Sequence, residues 1–246
     1  VRVNLAISIQ VFAPVYGSIC SGVSGQEDAG LEQRIERCDT CVTACVQEKP
    51  FTFSDEITLP GSKPEGEELL KHRVALRCNE AKVIGSKLIF KGEAQLQVLY
   101  RAEGGQPCGA EFELPFSQIM EVSGAGEEST CQVHVLLTSA ECVLGGDGRT
   151  FSVSLGLLAQ AVVREERNLD LLADVYSTAY DLSTETENYS MGRLADWGQK
   201  EQVVREILEV GVPAREVFDA YADIGSVSQS REGSHVTVTA QAAVTV

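Results

Sequence analysis

A fourteen-residue segment with two-residue alternation occurs twice in this chain, and a chain that repeats a strand pattern is confined to folds built from repeated β units. Gly85 to Val98 (GSKLIFKGEAQLQV) is echoed by Gly233 to Val246 (GSHVTVTAQAAVTV) at an offset of 148 residues. In the first copy Leu88, Phe90, Gly92, Ala94, Leu96 and Val98 fall on one side. Lys87, Lys91, Glu93, Gln95 and Gln97 fall on the other, as in a half-buried antiparallel strand. Upstream, Pro14-Val15-Tyr16-Gly17-Ser18-Ile19 resembles Asp174-Val175-Tyr176-Ser177-Thr178-Ala179, each after an alternating apolar segment, Val3 to Val11 and Phe151 to Val163. The chain is therefore expected to hold the tail of one unit with a linker (1–50), a whole unit (51–195), and a linker with the head of a further unit (196–246). The last fragment is expected to pack with residues 1–20.

Turn chemistry supports the β reading. Gln132 to Ala140 and Thr150 to Val163 flank Gly145-Gly146-Asp147-Gly148, whose glycines supply the positive φ of a tight turn, so the two segments are expected to form a hairpin. Gly104-Gly105-Gln106-Pro107 leads into Ala110 to Phe116 as another turn, and Gly124-Ala125-Gly126 marks a third. Two stretches break the pattern. Glu65 to His72, after Pro64, and Asp196 to Leu208 carry helix formers and are expected as short linker helices. Ser21 to Pro50 and Ser183 to Gln199 read as inter-unit connections. The fold class expected is mainly β: tandem antiparallel β-sandwich or open-barrel domains with one or two short linker helices.

Charge narrows the partners. A formal net charge of −16 with no basic cluster repels phosphate backbones, so nucleic acid is not an expected partner. No apolar run reaches the roughly 20 residues of a membrane-spanning helix. Only 6% of residues are aromatic, too few to suggest a carbohydrate groove.

The residues that could carry chemistry point weakly. Cys38, Cys41 and Cys45 could ligate zinc or an iron–sulfur cluster, with Cys20 or a residue brought in by the fold as fourth ligand. The same spacing is that of a buried helical stripe, and disulfides are a further alternative. Cys131 and Cys142 lie on segments that could pair across a sheet, which would allow a disulfide. His72, His134 and His235 sit in no catalytic context, and the Gly145–Gly148 run lacks the Lys and Ser/Thr of a phosphate loop. Asp170 and Asp174 are conceivable calcium ligands, though the spacing of a calcium loop is missing. Trp197 reads as a packing anchor. No cofactor, no resident metal and no catalytic residue are expected, and the chain is not expected to be an enzyme.

One ordered set of motifs resembles a known family. Val83-Ile84-Gly85-Ser86-Lys87-Leu88-Ile89-Phe90-Lys91-Gly92, then Leu96-Gln97-Val98-Leu99-Tyr100, then Glu113-Leu114-Pro115-Phe116-Ser117-Gln118, then Asp174-Val175-Tyr176-Ser177 together are similar to the SPOCS domain of clostridial, SipL-type spore-coat assembly proteins. The likeness covers about Leu69 to Thr178 as one full copy, with partial copies at Val1 to Ile19 and Ile207 to Val246. Known members carry a LysM-type module that contacts a coat ATPase; no such module is recognised in this sequence, so that role is not carried over. The resemblance implies a non-enzymatic structural or assembly protein of the spore coat or exosporium, made in the mother-cell cytoplasm. Tyr16, Tyr100, Pro115, Phe116, Asp174 and Tyr176 are its expected structural or interaction residues. Partners would be other spore-envelope proteins, or copies joined through edge strands such as Val3 to Val11 and His235 to Val246. The alternative is a secreted or surface-displayed carbohydrate- or adhesion-binding module.

Overall fold

The computed structural model describes residues 17–25, 29–126, 128–188, 203–205, 207, 209, 211, 213 and 217–246. All regular structure of any length among them is β. Strands β1 (Leu31–Thr58), β6 (Thr150–Ser177) and β5 (Thr130–Leu144) form one antiparallel sheet in the order β1-β6-β5. Strands β2 (Gly66–Ile84), β3 (Lys87–Ala102) and β4 (Pro107–Glu121) form a second, a meander. A separate hairpin follows, β7 (Tyr221–Glu232) with β8 (His235–Thr245).

Alternation decides which faces meet. Along β3, Leu88, Phe90, Gly92, Ala94, Leu96, Val98 and Tyr100 are all buried, the set that the two-residue pattern selects. Along β6, Phe151, Val153, Leu155, Leu157, Ala159, Ala161 and Val163 are buried in the same way. Each fully buried Leu or Phe side chain contributes about 1.5–3 kcal/mol of transfer free energy, so these two faces hold the sandwich closed. One packed cluster surrounds Tyr100 and Phe151, whose rings meet edge-on at 6.1 Å. A second contains Phe90 and Phe116 with Phe51 between them, at 6.1 and 5.7 Å from their ring centres.

The expected hairpin of 132–140 with 150–163 is present as β5 and β6, joined through the Gly145–Gly148 turn. Gly104, Gly105, Gly124 and Gly148 take positive φ in their turns, as Gly85 does between β2 and β3, whereas Gly145 and Gly146, expected to do the same, do not. Pro50 and Pro115 fall on edge strands β1 and β4, where a missing N–H leaves no ladder bond broken.

Two expectations are corrected. Glu65–His72 is not a helix: from Gly66 it is the start of β2, paired with β3 down to Gly66 opposite Ala102. Register shifts at Gly66/Glu68 and Leu69/Lys71 blur its alternation, and pairing with β3 outweighs its helix propensity. Nor is Ser21–Pro50 a connection throughout, since Leu31–Pro50 is the first part of β1. β5 begins at Thr130, opposite Arg164, so Glu165–Ser177 pairs with β1 alone as a long two-stranded ribbon. With no residue of this ribbon buried on either face, no apolar alternation announces it. No linker helix is present among the described residues. Most of Asp196–Leu208 lies outside them, and Val203–Arg205 and Ile207 carry no regular structure.

Candidate interaction surface

The residues expected to mark a site are dispersed. Tyr100 is fully buried and its hydroxyl donates to the Pro64 carbonyl at 3.0 Å. Burial, and then the nearby Cys108, push its phenol pKa up. Phe116 lies in the other cluster, while Pro115 is exposed on β4. Asp174 and Tyr176 sit far along the β1–β6 ribbon, opposite Arg34 and Glu32. There the Asp174 Oδ1 accepts from the Val175 amide at 2.9 Å, and the Tyr176 ring is 59% exposed. Tyr16, Trp197 and the Val3–Val11 strand lie outside the described residues. Tyr100 and Phe116 therefore act as packing residues, while Pro115, Asp174 and Tyr176 lie at the surface.

The three thiols singled out by spacing do not converge, although Cys45 borders the same apolar cluster as Cys78 and Cys131. Cys38, Cys41 and Cys45 lie on an extended strand, not a helix, opposite Leu169, Glu166 and Val163. A three-residue step on a strand reverses the face, and Ala44, bulged between Thr43 and Cys45, makes the second step equivalent to another three. Cys38 and Cys45 thus share a face while Cys41 takes the other. Among the described residues no group of three His, Cys, Asp or Glu is placed to hold a metal ion. The expected Cys131–Cys142 disulfide is also corrected. Both are on β5, eleven residues apart, a separation on the order of 35 Å in an extended strand, and both are free thiols. Burial pushes the Cys142 thiol up to about 11 and raises Cys45, Cys78 and Cys131 as well.

The other polar groups have structural partners. In the Gly145–Gly148 turn, Asp147 accepts from the Thr150 hydroxyl at 2.7 Å and from the Arg149 and Thr150 amides at 3.0 Å each. Those bonds, the hydroxyl first, hold its carboxyl down at about 2. Asp170 is paired with Arg37 at 3.1 Å rather than turned toward Asp174.

What the sequence did not single out is a contact on the outer face of the β2-β3-β4 sheet. Asp219, in the segment leading into β7, accepts from Lys71 Nζ at 2.9 Å and Arg73 Nη2 at 2.7 Å. The Tyr221 ring lies 3.7 Å from the Arg73 guanidinium carbon, a cation–π stack. Arg73 Nη1 donates to Gln97 at 3.2 Å, and Gln97 to Glu111 at 2.9 Å, so one polar row crosses β2, β3 and β4 and ends on Asp219. In the adjacent row, Gly109 lets the chain approach: a Cβ there would stand 2.8 Å from the Phe218 carbonyl oxygen. These residues border a groove of about 250 Å³. The Asp219 carboxyl is held below the ordinary carboxylate range, by Lys71 first and then Arg73.

Beyond Tyr221 the hairpin repeats the geometry of β2–β3. Its turn glycine, Gly233, has φ 60° against 59° at Gly85. Glu232 faces His235 as Ile84 faces Lys87, Arg231 faces Val236 as Val83 faces Leu88, and Ser228 faces Thr239 as Glu80 faces Lys91. Both long strands are bulged just beyond this stretch, at Cys78/Glu80 and Ile224/Val227. Burial does not repeat. Val236 and Val238 are each 63% exposed, whereas Leu88 and Phe90 at the equivalent positions are fully buried.

The described residues thus form a two-sheet antiparallel sandwich followed by a separate hairpin, with a polar row across the outer face of one sheet. Residues 66–144 match the family model described as SipL, SPOCS domain. That span opens on the first residue of β2 and closes on the last of β5. The match covers strands β2–β5, about a third of the chain, and β1 and β6 complete the sandwich around them. No curated protein and no solved structure matches the chain. Among the described residues no helix is long and apolar enough to cross a membrane.

Proposed function

We propose that this chain is a non-enzymatic structural or assembly protein of the bacterial spore envelope, in the coat or exosporium, made in the mother-cell cytoplasm. It acts by association of tandem β units. The observation that carries this reading is the SPOCS match over β2–β5 together with a second hairpin of the same register and turn glycine 148 residues on. A scaffold needs surfaces that remain to be covered. β8 offers one, because Val236, Val238 and Val244 stand exposed where a complete unit would bury them. The partners are other spore-envelope proteins, with edge strands as the route of self-association. No catalytic residue, cofactor or metal enters this mechanism, and a net charge of −16 disfavours nucleic acid.

Tagged protein followed through sporulation tests the assignment. Expected is a ring or cap at the forespore surface that stays with purified spores. A signal spread evenly through the mother cell, and absent from purified spores, would contradict it.

A further inference from the structure

The contact between Lys71, Arg73, Asp219 and Tyr221 has a property that the repeat reveals. At the offset of 148, Lys71 corresponds to Asp219 and Arg73 corresponds to Tyr221. Each position therefore touches its own counterpart in the next copy: Lys71 with Asp219 at 2.9 Å, Arg73 with Tyr221 at 3.7 Å. Contacts of equivalent with equivalent positions are the mark of a self-facing interface, the kind that a two-fold axis generates between identical subunits. Here the chemistry is inverted across it. Two central units meeting in this way would set Lys71 and Arg73 against a second Lys and Arg. Two units of the downstream kind would set carboxylate against carboxylate. Only unlike units bring cation to anion and guanidinium to ring.

We propose that the start of β2, on the outer face of its sheet, is the surface by which consecutive units of this chain recognise each other. Its occupant is the Phe218–Tyr221 segment of the following unit, and the inversion from Lys and Arg to Asp and Tyr keeps like units from pairing. The seat is shaped for that occupant. Gly109 lies in the Lys71–Leu99–Gly109 row and admits the Phe218 backbone, while Gln97 and Glu111 brace Arg73 from the neighbouring row. Lys71 and Arg73 also offer two cations side by side on a strongly acidic chain, where an acid-bearing segment is the fitting partner. This inference rests on reading 217–246 as the head of a further unit.

Zero-length carbodiimide cross-linking of the full chain, followed by size separation and peptide mass spectrometry, tests it. Expected in the monomer fraction is a Lys71–Asp219 link, reduced at least tenfold in Asp219→Asn and in the single reversals Lys71→Asp and Asp219→Lys. The double reversal Lys71→Asp with Asp219→Lys, made in an Arg73→Gln background so that the new amine is not set against the guanidinium, restores a link between the same two positions, and circular dichroism of each variant stays that of the parent. Absence of the link in the parent chain would overturn the proposal, as would a link found only in dimers or a double reversal that fails to restore it. Failure here would leave the forespore localisation unchanged, so the two readings fail separately.

Discussion

Gly92 tests the packing of the sandwich most sharply, because a single methyl group there has nowhere to go. A Cβ at this position would stand 2.2 Å from the Arg77 carbonyl oxygen, 2.5 Å from Phe116 Cζ and 2.9 Å from its Cε2. Van der Waals contact needs about 3.4 Å or more, so roughly 1 Å must be found on two sides at once. Neither side yields easily. Arg77 belongs to the β2–β3 ladder beside the Cys78/Glu80 bulge, and the Phe116 ring is backed by Phe51 at 5.7 Å, itself against Phe90 at 6.1 Å. Overpacking of this kind costs about 1–3 kcal/mol, and with backbone on one side Gly92→Ala belongs at the top of that range, about 3 kcal/mol. For a domain of this size that lowers Tm by roughly 6–12 °C. Urea unfolding followed by circular dichroism measures the change. Gly61→Ala is the control, since a Cβ there meets nothing within 4 Å. A Gly92→Ala loss below about 0.5 kcal/mol would refute the close β2–β3 approach. In the downstream copy Ala240 takes the equivalent place, where it pairs with Val227 and the unpaired residues are Gly225 and Ser226.

Three further outcomes follow from the titrating groups. The Asp147 carboxyl, held at about 2, strengthens the β5–β6 turn at every pH above its unfolded pKa near 4, and that contribution fades as pH falls through 2. In Asp147→Ala the Arg149 and Thr150 amides should therefore exchange with solvent faster than in the parent at pH 6, with the gap narrowing toward pH 2. Asp219 is likewise depressed, so its contact with Lys71 and Arg73 should persist at neutral pH and weaken in acid below the ordinary carboxylate range or in 1 M salt. Chemical shifts of the Tyr221 ring against pH and salt report this, and shifts indifferent to both would contradict it. With its thiol at about 11, Cys142 is only about 0.1% thiolate at pH 8, so it should be alkylated far more slowly than exposed Cys20 in the native protein. Equal rates by mass spectrometry would show that β5 is not packed as described.

The parts of the fold legible in the sequence are those where burial is one-sided. β3 shows this best: each residue from Leu88 to Tyr100 that the alternation assigns inward is buried. The β5–β6 hairpin was legible for a second reason, a turn in which Gly148, at positive φ, and Asp147 fix the chain reversal. β2 was misread because its register shifts break the alternation, leaving local helix formers as the visible signal. The first part of β1 was missed because a two-stranded ribbon buried on neither face leaves no apolar side to see. Its three cysteines took on a helical spacing only because a helix was assumed. The Lys71–Asp219 contact joins residues 148 apart on surfaces that composition describes merely as charged. The repeat held the clue to it, since extending the alignment upstream of Gly85 and Gly233 sets a cation against an acid.

The claim that this is a spore-envelope scaffold is tested most directly by quantitative affinity capture from sporulating cells with the full chain as bait. The expected result is enrichment of identified coat or exosporium proteins over a bait-free control, reduced when Val236 and Val238 on the exposed hairpin are replaced by Asp. Recovery of no coat or exosporium protein from cells that are assembling their envelope would contradict it.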